Sequence, residues 1–258
     1  MKTIKKDLSQ DLTQIEIHTF ADEHIGDAGC DIDRLKERIK YVAETPNAYC
    51  ILNGDILDNA SRSSIGDIET RELNIMGQIQ YGVELFTPIK DKILCVTNGN
   101  HENRAYRKEG IDISRLVAAQ LGISELYSPT SALLFLRFGK QSSHHQNRRA
   151  LYTLYCLHGS GGGRKEGAKA IRLADMSSIV DADIYLHAHT HLPMIMKQGF
   201  FRTDLKSSTV QCVTKLFVNT ASNLNYGGYG EAQEFKPNSK DTPIIYLNGT
   251  KKEMYAKL

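Results

Sequence analysis

The first two-thirds of the chain alternates short apolar runs with longer segments whose apolar positions recur every three or four residues. "IEIHTF" (15–20) reads as a strand, and "AYCILN" (48–53) as one buried on both faces. "KILCVT" (92–97) is a third strand. Between them, "IDRLKERIKYVAE" (32–44) has the spacing of an amphipathic helix. From Glu69 to Phe86, a stripe of Leu73, Met76, Ile79, Val83 and Phe86 predicts another helix with one buried face. "ISRLVAAQLG" (113–122) predicts a helix that Gly122 stops.

The pattern then changes. "ALLFLRF" (132–138) and "ALYTLYCLH" (150–158) read as a β-hairpin with the polar, basic tip "GKQSSHHQNRR". A helix is expected from about Arg164 to Ser178, followed by the strand "DIYLHAH" (183–189). After Pro193 the chain looks mostly β, with "CVTKLFVN" (212–219), "PIIYLN" (243–248) and a terminal "KEMYAK". Alternating elements followed by hairpins predict an α/β layered sandwich of mixed β-sheets flanked by helices. No linker, repeat or low-complexity tract divides the sequence, so residues 1–258 are expected to form a single domain.

Composition narrows the class of protein without naming a function. The 258 residues suffice for a sizeable core, and 41% hydrophobic with 24% charged residues is ordinary for a soluble globular chain. A formal charge of +2 is too small to argue by itself for nucleic acid or an anionic membrane. No apolar run approaches the ~20 residues of a membrane span, and the basic N-terminus lacks a signal peptide's apolar stretch. Of five cysteines, Cys50, Cys95, Cys156 and Cys212 lie in apolar strand-like runs, where Cys serves as a small buried hydrophobe; Cys30 does not. No C-x-x-C pair suggests structural zinc. The expectation is a reduced, cytoplasmic protein.

The chemistry-bearing residues collect just after strands. The first leads into Asp22 and His24, the second into Asp55 and Asp58, and the third into Asn100, His101 and Glu102. The strand 150–157 leads into His158, and "HAHTH" supplies His187, His189 and His191. Six of nine histidines therefore stand at strand exits, where α/β sheets place their ligands. Any one of them reads equally as a turn or core residue. Jointly, with Asp22, Asp55 and Asn100, they predict a metal centre. Carboxylate, imidazole and amide donors without thiolate suit Mn²⁺, Fe or Zn²⁺ in an open site. The donors are too many for one ion, and two ions sharing a carboxylate use them better.

The ordered set Asp-x-His, Gly-Asp-x-x-Asp, Gly-Asn-His-Glu, His-Gly and His-x-His, from Asp22 to Pro193, resembles the calcineurin-like metallophosphoesterase superfamily. The resemblance implies that Asp22, His24 and His191 hold one metal, that Asn100, His158 and His189 hold a second, and that Asp55 bridges them. A bridging water or hydroxide would attack phosphorus, and His101 would protonate the leaving oxygen or stabilise the phosphoryl charge. Glu102 reads either as a residue orienting His101 or as a solvated turn residue. Asp58 reads as a hydrogen-bond partner or a helix cap. The sequence departs from the family pattern in two places. Ala188 replaces a usual Gly after an extra His187, which permits the register His187-Ala188-His189, although "HTHLP" favours His189 and His191. "GDILDNASR" also lacks the Arg-Gly pairing of Ser/Thr protein phosphatases.

Three further stretches bear on the substrate. The loop "HGSGGGRKEGAKA" fails the P-loop pattern but brings glycines, Arg164 and Lys165 to a helix start that can bind phosphate; a flexible connection is the alternative. The basic hairpin tip reads as a nucleic-acid clamp or as a solvated loop, with His144 and His145 outside the site. Tyr226 and Tyr229 either stack on a base or pack a glycine-rich turn. The expected function is a two-metal phosphoester hydrolase, a phosphodiesterase or nuclease acting on nucleic acid or nucleotides. A phosphomonoesterase for nucleotides or phosphoproteins is the runner-up, and a non-catalytic interaction module on the same fold is the third reading.

Overall fold

A computed structural model describes residues 1–59, 73–141 and 148–258. In chain order it begins β1 (Lys2–Asp7), β2 (Gln14–Phe20), α1 (Ile32–Glu44), β3 (Ala48–Asn53), α2 (Ile75–Phe86) and β4 (Ile93–Thr97). There follow α3 (Asn100–Glu109), α4 (Ile113–Gln120), β5 (Tyr127–Ser128), β6 (Ser131–Phe138), β7 (Ala150–Leu157) and α5 (Glu166–Asp175). The last elements are β8 (Ile184–His187), β9 (Met194–Asp204), β10 (Thr209–Asn219), α6 (Gly228–Ala232), β11 (Ile244–Asn248) and β12 (Met254–Lys257).

Two six-stranded mixed sheets result, ordered β1-β6-β7-β8-β10-β9 and β12-β11-β2-β3-β4-β5. They pack face to face through one apolar cluster that draws Ile17, Ile51 and Val96 from one sheet and Leu134, Leu154 and Leu186 from the other. Each such side chain contributes about 1.5–3 kcal/mol by leaving water. A second, smaller cluster joins Leu173 of α5 to Tyr155, Tyr185 and Phe217 on the outer face of the first sheet. The α/β sandwich flanked by helices is therefore the architecture of this chain. Within each sheet the strands that matter run in parallel: β2 with β3, β3 with β4, and β7 with β8.

Several elements differ from the sequence-based expectation. The stripe helix begins at Ile75, not Glu69; residues 69–72 lie outside the described set, and Met76 is exposed while Gln78 and Gly82 join Ile79 and Phe86 inside. Residues 100–109 form the helix α3, for which the sequence pattern gives no expectation. β1 was not expected from "KTIKKD", because an edge strand with one deeply buried residue, Ile4, carries little apolar signal. β8 ends at His187, two residues short of the expected strand. Cys50, Cys95 and Cys156 are buried, but Cys212 is exposed, because the distal halves of β9 and β10 stand clear of the core. Among the described residues, no helix is long and apolar enough to cross a membrane. The hairpin tip, including His144 and His145, falls largely outside the described residues.

Candidate metal centre

The exits of β2, β3, β4, β7 and β8 meet at one end of the sandwich. The first two exits zip together: the Asp22 and His24 N–H groups donate to the Gly54 and Asp55 carbonyls at 3.1 Å each, and Asp58 N–H returns to the Ile25 carbonyl. The backbone bends sharply here. Among the described residues, eight non-glycine residues have positive φ, and six are Asp22, His24, Asp55, Asn59, His189 and His191. The left-handed conformation costs an L-residue roughly 1–2 kcal/mol, so this concentration marks a site held by its surroundings.

The donor atoms of Asp22, His24 and His191 lie within 4.8 Å of one another, and so do those of Asp55, His158 and His189. Asn100 joins the second trio, with its Oδ1 3.2 Å from His158 Nε2. The trios touch, since His158 Nε2 is 3.2 Å from Asp55 Oδ2 and 3.9 Å from Asp22 Oδ1. All seven expected ligands thus converge. The set fits divalent cations on its own chemistry. Asp22 Oδ1 and His24 Nε2 are buried yet make no hydrogen bond, although His191 Nε2 stands 3.2 Å from that oxygen. Buried polar atoms without partners are costly, and a cation between them removes the cost.

Electrostatics without a cation follow the same geometry. Burial alone would raise Asp55 and Asp22, but His158 beside Asp55 holds it well below the usual carboxylate range, and His191 holds Asp22 near about 2. Burial would lower His158, but Asp55 overrides it and pushes the imidazole up to about 10. Burial pushes His24 down to about 3.

The surrounding hydrogen bonds orient these groups. The Asn53 carbonyl lies 2.8 Å from His158 Nδ1, which directs Nε2 inward. Asn53 also bridges the sheets, its amide donating to the Leu157 carbonyl while its oxygen accepts from the Thr97 hydroxyl. His189 N–H donates to Asp22 Oδ2 at 2.9 Å. His187 ends β8 with Nδ1 2.7 Å from Asn219 Oδ1, and Asn219 donates to Thr190 Oγ1 and the Leu192 carbonyl. His187 thereby belongs to the support of the His189–His191 loop and is a member of neither trio.

Gly99 caps α3, and having no side chain it leaves the cap bond to Asp55, whose Oδ1 accepts the His101 N–H at 2.8 Å. The positive end of α3 therefore faces the Asp55 carboxylate. Both motif glycines are required by close approach. A Cβ on Gly54, which has φ +80°, would stand 2.7 Å from Gly99 N and His158 Nδ1; one on Gly99 would overlap the Asp55 carboxylate.

Glu102 and Asp58 divide the work differently from the sequence expectation. The Glu102 oxygens accept N–H bonds from Asp55, Ile56, Leu57 and Gly99 and make none to His101. Glu102 is only 1% exposed, so it is not a solvated turn residue either. Asp58 contacts His101 instead, with its carbonyl 2.7 Å and its Oδ1 3.2 Å from Nδ1. His24, Asp58 and His101 make a third group of donors within 4.8 Å. The missed signal for Glu102 was its position three residues after a helix-capping glycine.

Arg164 and Lys165 are exposed at the start of α5, with the Arg164 guanidinium 5.2 Å from the Phe235 ring. Lys169, which the sequence did not single out, reaches the ligand loop by donating to the Thr190 carbonyl at 2.8 Å. Tyr226 is exposed; the Tyr229 side chain lies outside the described set.

The family model for calcineurin-like phosphoesterases matches residues 24–193. Among solved structures, a metallophosphoesterase from Sphaerobacter thermophilus is 14% identical, with a TM-score of 0.41 over 91% of this chain and 84% of that one. Vacuolar protein sorting 29 from Cryptosporidium parvum is 13% identical, with a TM-score of 0.44 over 95% and 97%. The nuclease MPE of Pseudomonas putida is 14% identical, with a TM-score of 0.36 over 93% and 87%. No curated protein matches. With the matched span covering most of the strand exits described above, the chain belongs to the calcineurin-like phosphoesterase family.

Proposed function

We propose that this protein is a phosphodiesterase, a nuclease or nucleotide hydrolase that works with two divalent ions, Mn²⁺ being the best suited. Asp22, His24 and His191 would hold one ion, Asn100, His158 and His189 the other, and Asp55 would be shared by both. The convergence of these side chains from five separate loops carries the reading, together with the unpartnered Asp22 Oδ1 and His24 Nε2. The ions, when bound, supply Lewis acidity at phosphorus and acidify water at neutral pH.

The residues of the chain do the rest. Asp58 fixes the His101 ring through Nδ1, leaving Nε2 3.9 Å from Asp55 Oδ2 and 3.0 Å from the Arg104 guanidinium. From there His101 delivers a proton to the leaving oxygen or hydrogen-bonds a phosphoryl oxygen. Glu102 acts as a positioning residue, holding the Asp55 loop against the start of α3. Arg164, Lys165 and the glycine loop before them lie beside the His158 exit and suit a phosphate-bearing substrate. The diester preference follows from the missing Arg-Gly pairing and the basic loops.

The test is metal analysis of the purified protein, followed by Mn²⁺-dependent hydrolysis of bis(p-nitrophenyl) phosphate against p-nitrophenyl phosphate. Faster turnover of the diester supports the reading. Preference for the monoester supports the phosphomonoesterase, and neither metal uptake nor turnover supports an interaction module.

A further inference from the structure

β9 is the last strand of its sheet, and its outer edge pairs with no strand among the described residues. Only its start is braced. β10 pairs with β8 through residues 216–219 alone, so residues 198–204 and 209–215 continue as a ribbon of two strands. A two-stranded ribbon is marginally stable in water, and an unpaired edge is a template for another strand. The two faces of this ribbon differ in chemistry. Arg202, Asp204 and Lys215 share the face of Phe200, where Asp181 accepts from both Arg202 and Lys215. The other face carries Gly199, Phe201 and Thr203 opposite Thr214, Cys212 and Val210. None of these six is charged and all are exposed, Phe201 at 83%. Leu205, which opens the turn, is 90% exposed. A ribbon that met only water on both sides has no use for such a division.

We propose that the free edge of β9 pairs antiparallel with the β9 edge of a second copy of this chain, about a two-fold axis at Thr203. Residues 201–205, Phe-Arg-Thr-Asp-Leu, are complementary to themselves when read in reverse. In this register Thr203 meets Thr203. Phe201 meets Leu205 of the second copy and Arg202 meets Asp204 of the second copy, each pair occurring twice by symmetry. An axis at Arg202 would set two guanidinium groups against each other, and one at Phe201 would put Leu205 opposite Lys197. Arg202 keeps its bond to Asp181, and Asp204 keeps the turn bonds from Lys206 and Ser207, so the match is one of sign and releases neither side chain. This self-match is what selects a second copy over an unrelated strand, which would have to reproduce the same order of apolar, basic, polar, acidic and apolar positions. β9 starts at Met194, just after the His189–His191 loop, and its ten residue steps carry the tip roughly 33 Å along the strand. Pairing at the tip therefore leaves both metal centres clear.

The test uses the full chain. Sedimentation velocity over a dilution series compares wild type with the double variant Phe201→Lys/Leu205→Lys, both substitutions lying at exposed positions. Wild type should sediment as a dimer that dissociates on dilution, and the double variant at half that mass throughout, with an unchanged far-UV circular dichroism spectrum. Cysteine cross-linking then reads the register. In a Cys212→Ser background, which removes the exposed thiol, Thr203→Cys should form a disulfide-linked dimer under mild oxidation with copper phenanthroline. Lys197→Cys, on the same face but six residues from the axis, should not. Wild type that is monomeric at every concentration would leave the edge to another partner and overturn the proposal. So would a dimer that survives in the double variant, or cross-linking through Lys197→Cys as readily as through Thr203→Cys.

Discussion

The Glu102 carboxylate accepts the backbone N–H of Asp55 at 3.0 Å, so the central carboxylate of the site stands on a buried acid from the first turn of α3. Burial raises Glu102 first, Asp55's charge adds to it, and its pKa is pushed up to about 7. The same two oxygens also serve Ile56, Leu57 and Gly99. Glu102→Ala strands four buried N–H groups at once. We expect a loss of about 4 kcal/mol or more in urea unfolding, since each of the four stranded donors costs about 1–3 kcal/mol. Metal affinity should fall about 10–100-fold by isothermal titration, the usual effect of removing a supporting partner.

His101 and Asp55 should separate cleanly. His101→Ala removes a ring that joins neither candidate metal trio, so metal content by elemental analysis stays near wild type. Turnover should drop by about 10²–10⁴, the usual worth of a positioned acid or base. Asp55→Asn should lose both metal and turnover, because Asp55 stands beside His158 and also caps α3 through His101 N–H. An unchanged rate in His101→Ala would remove it from the chemistry.

Proton release tests the electrostatics. His158 in the metal-free protein has its pKa raised to about 10, well above the ordinary imidazole value, with Asp55 overcoming burial. A metal ligand must be neutral, so loading at pH 8 should release about one proton from this residue. Calorimetry in buffers of different ionisation enthalpy reads this directly. The sign for stability follows: a raised folded pKa contributes fully below the unfolded value near 6.5 and is lost as pH rises through 10. The metal-free protein should therefore weaken between pH 7 and 10.

Two glycines with positive φ should respond differently to alanine. Gly122, with φ +74°, has nothing within 4 Å of an added Cβ. Gly122→Ala should cost about 1–2 kcal/mol, the left-handed penalty alone. Gly54→Ala adds a clash with Gly99 and His158, and overpacking contributes about 1–3 kcal/mol more. Urea midpoints of the two variants, read with metal content, compare them. Equal losses would mean that the β3 exit is less tightly packed than described.

What the sequence made legible was set by periodicity and by order along the chain. β2, β3 and β4 announce themselves as apolar runs ending in polar clusters, and the candidate ligands stand at those ends. Elements stabilised by partners distant in sequence were harder to see. β1 is half lysine and exists because it pairs with β6. α3 lacks an apolar stripe, and its start is fixed by Asp55 from another loop. The exchange of roles between Asp58 and Glu102 is illegible for the same reason: Glu102 is next to His101 in sequence and Asp58 is 43 residues away, yet packing brings Asp58 to the ring and turns Glu102 to the β3 exit.

The central claim is that two cations sit among these loops with Asp55 between them. Anomalous scattering at the manganese edge from crystals grown with Mn²⁺ tests it most directly. Two peaks should appear, one against Asp22, His24 and His191 and one against Asn100, His158 and His189, each within bonding distance of Asp55. No peak, or peaks remote from these seven side chains, would contradict the account.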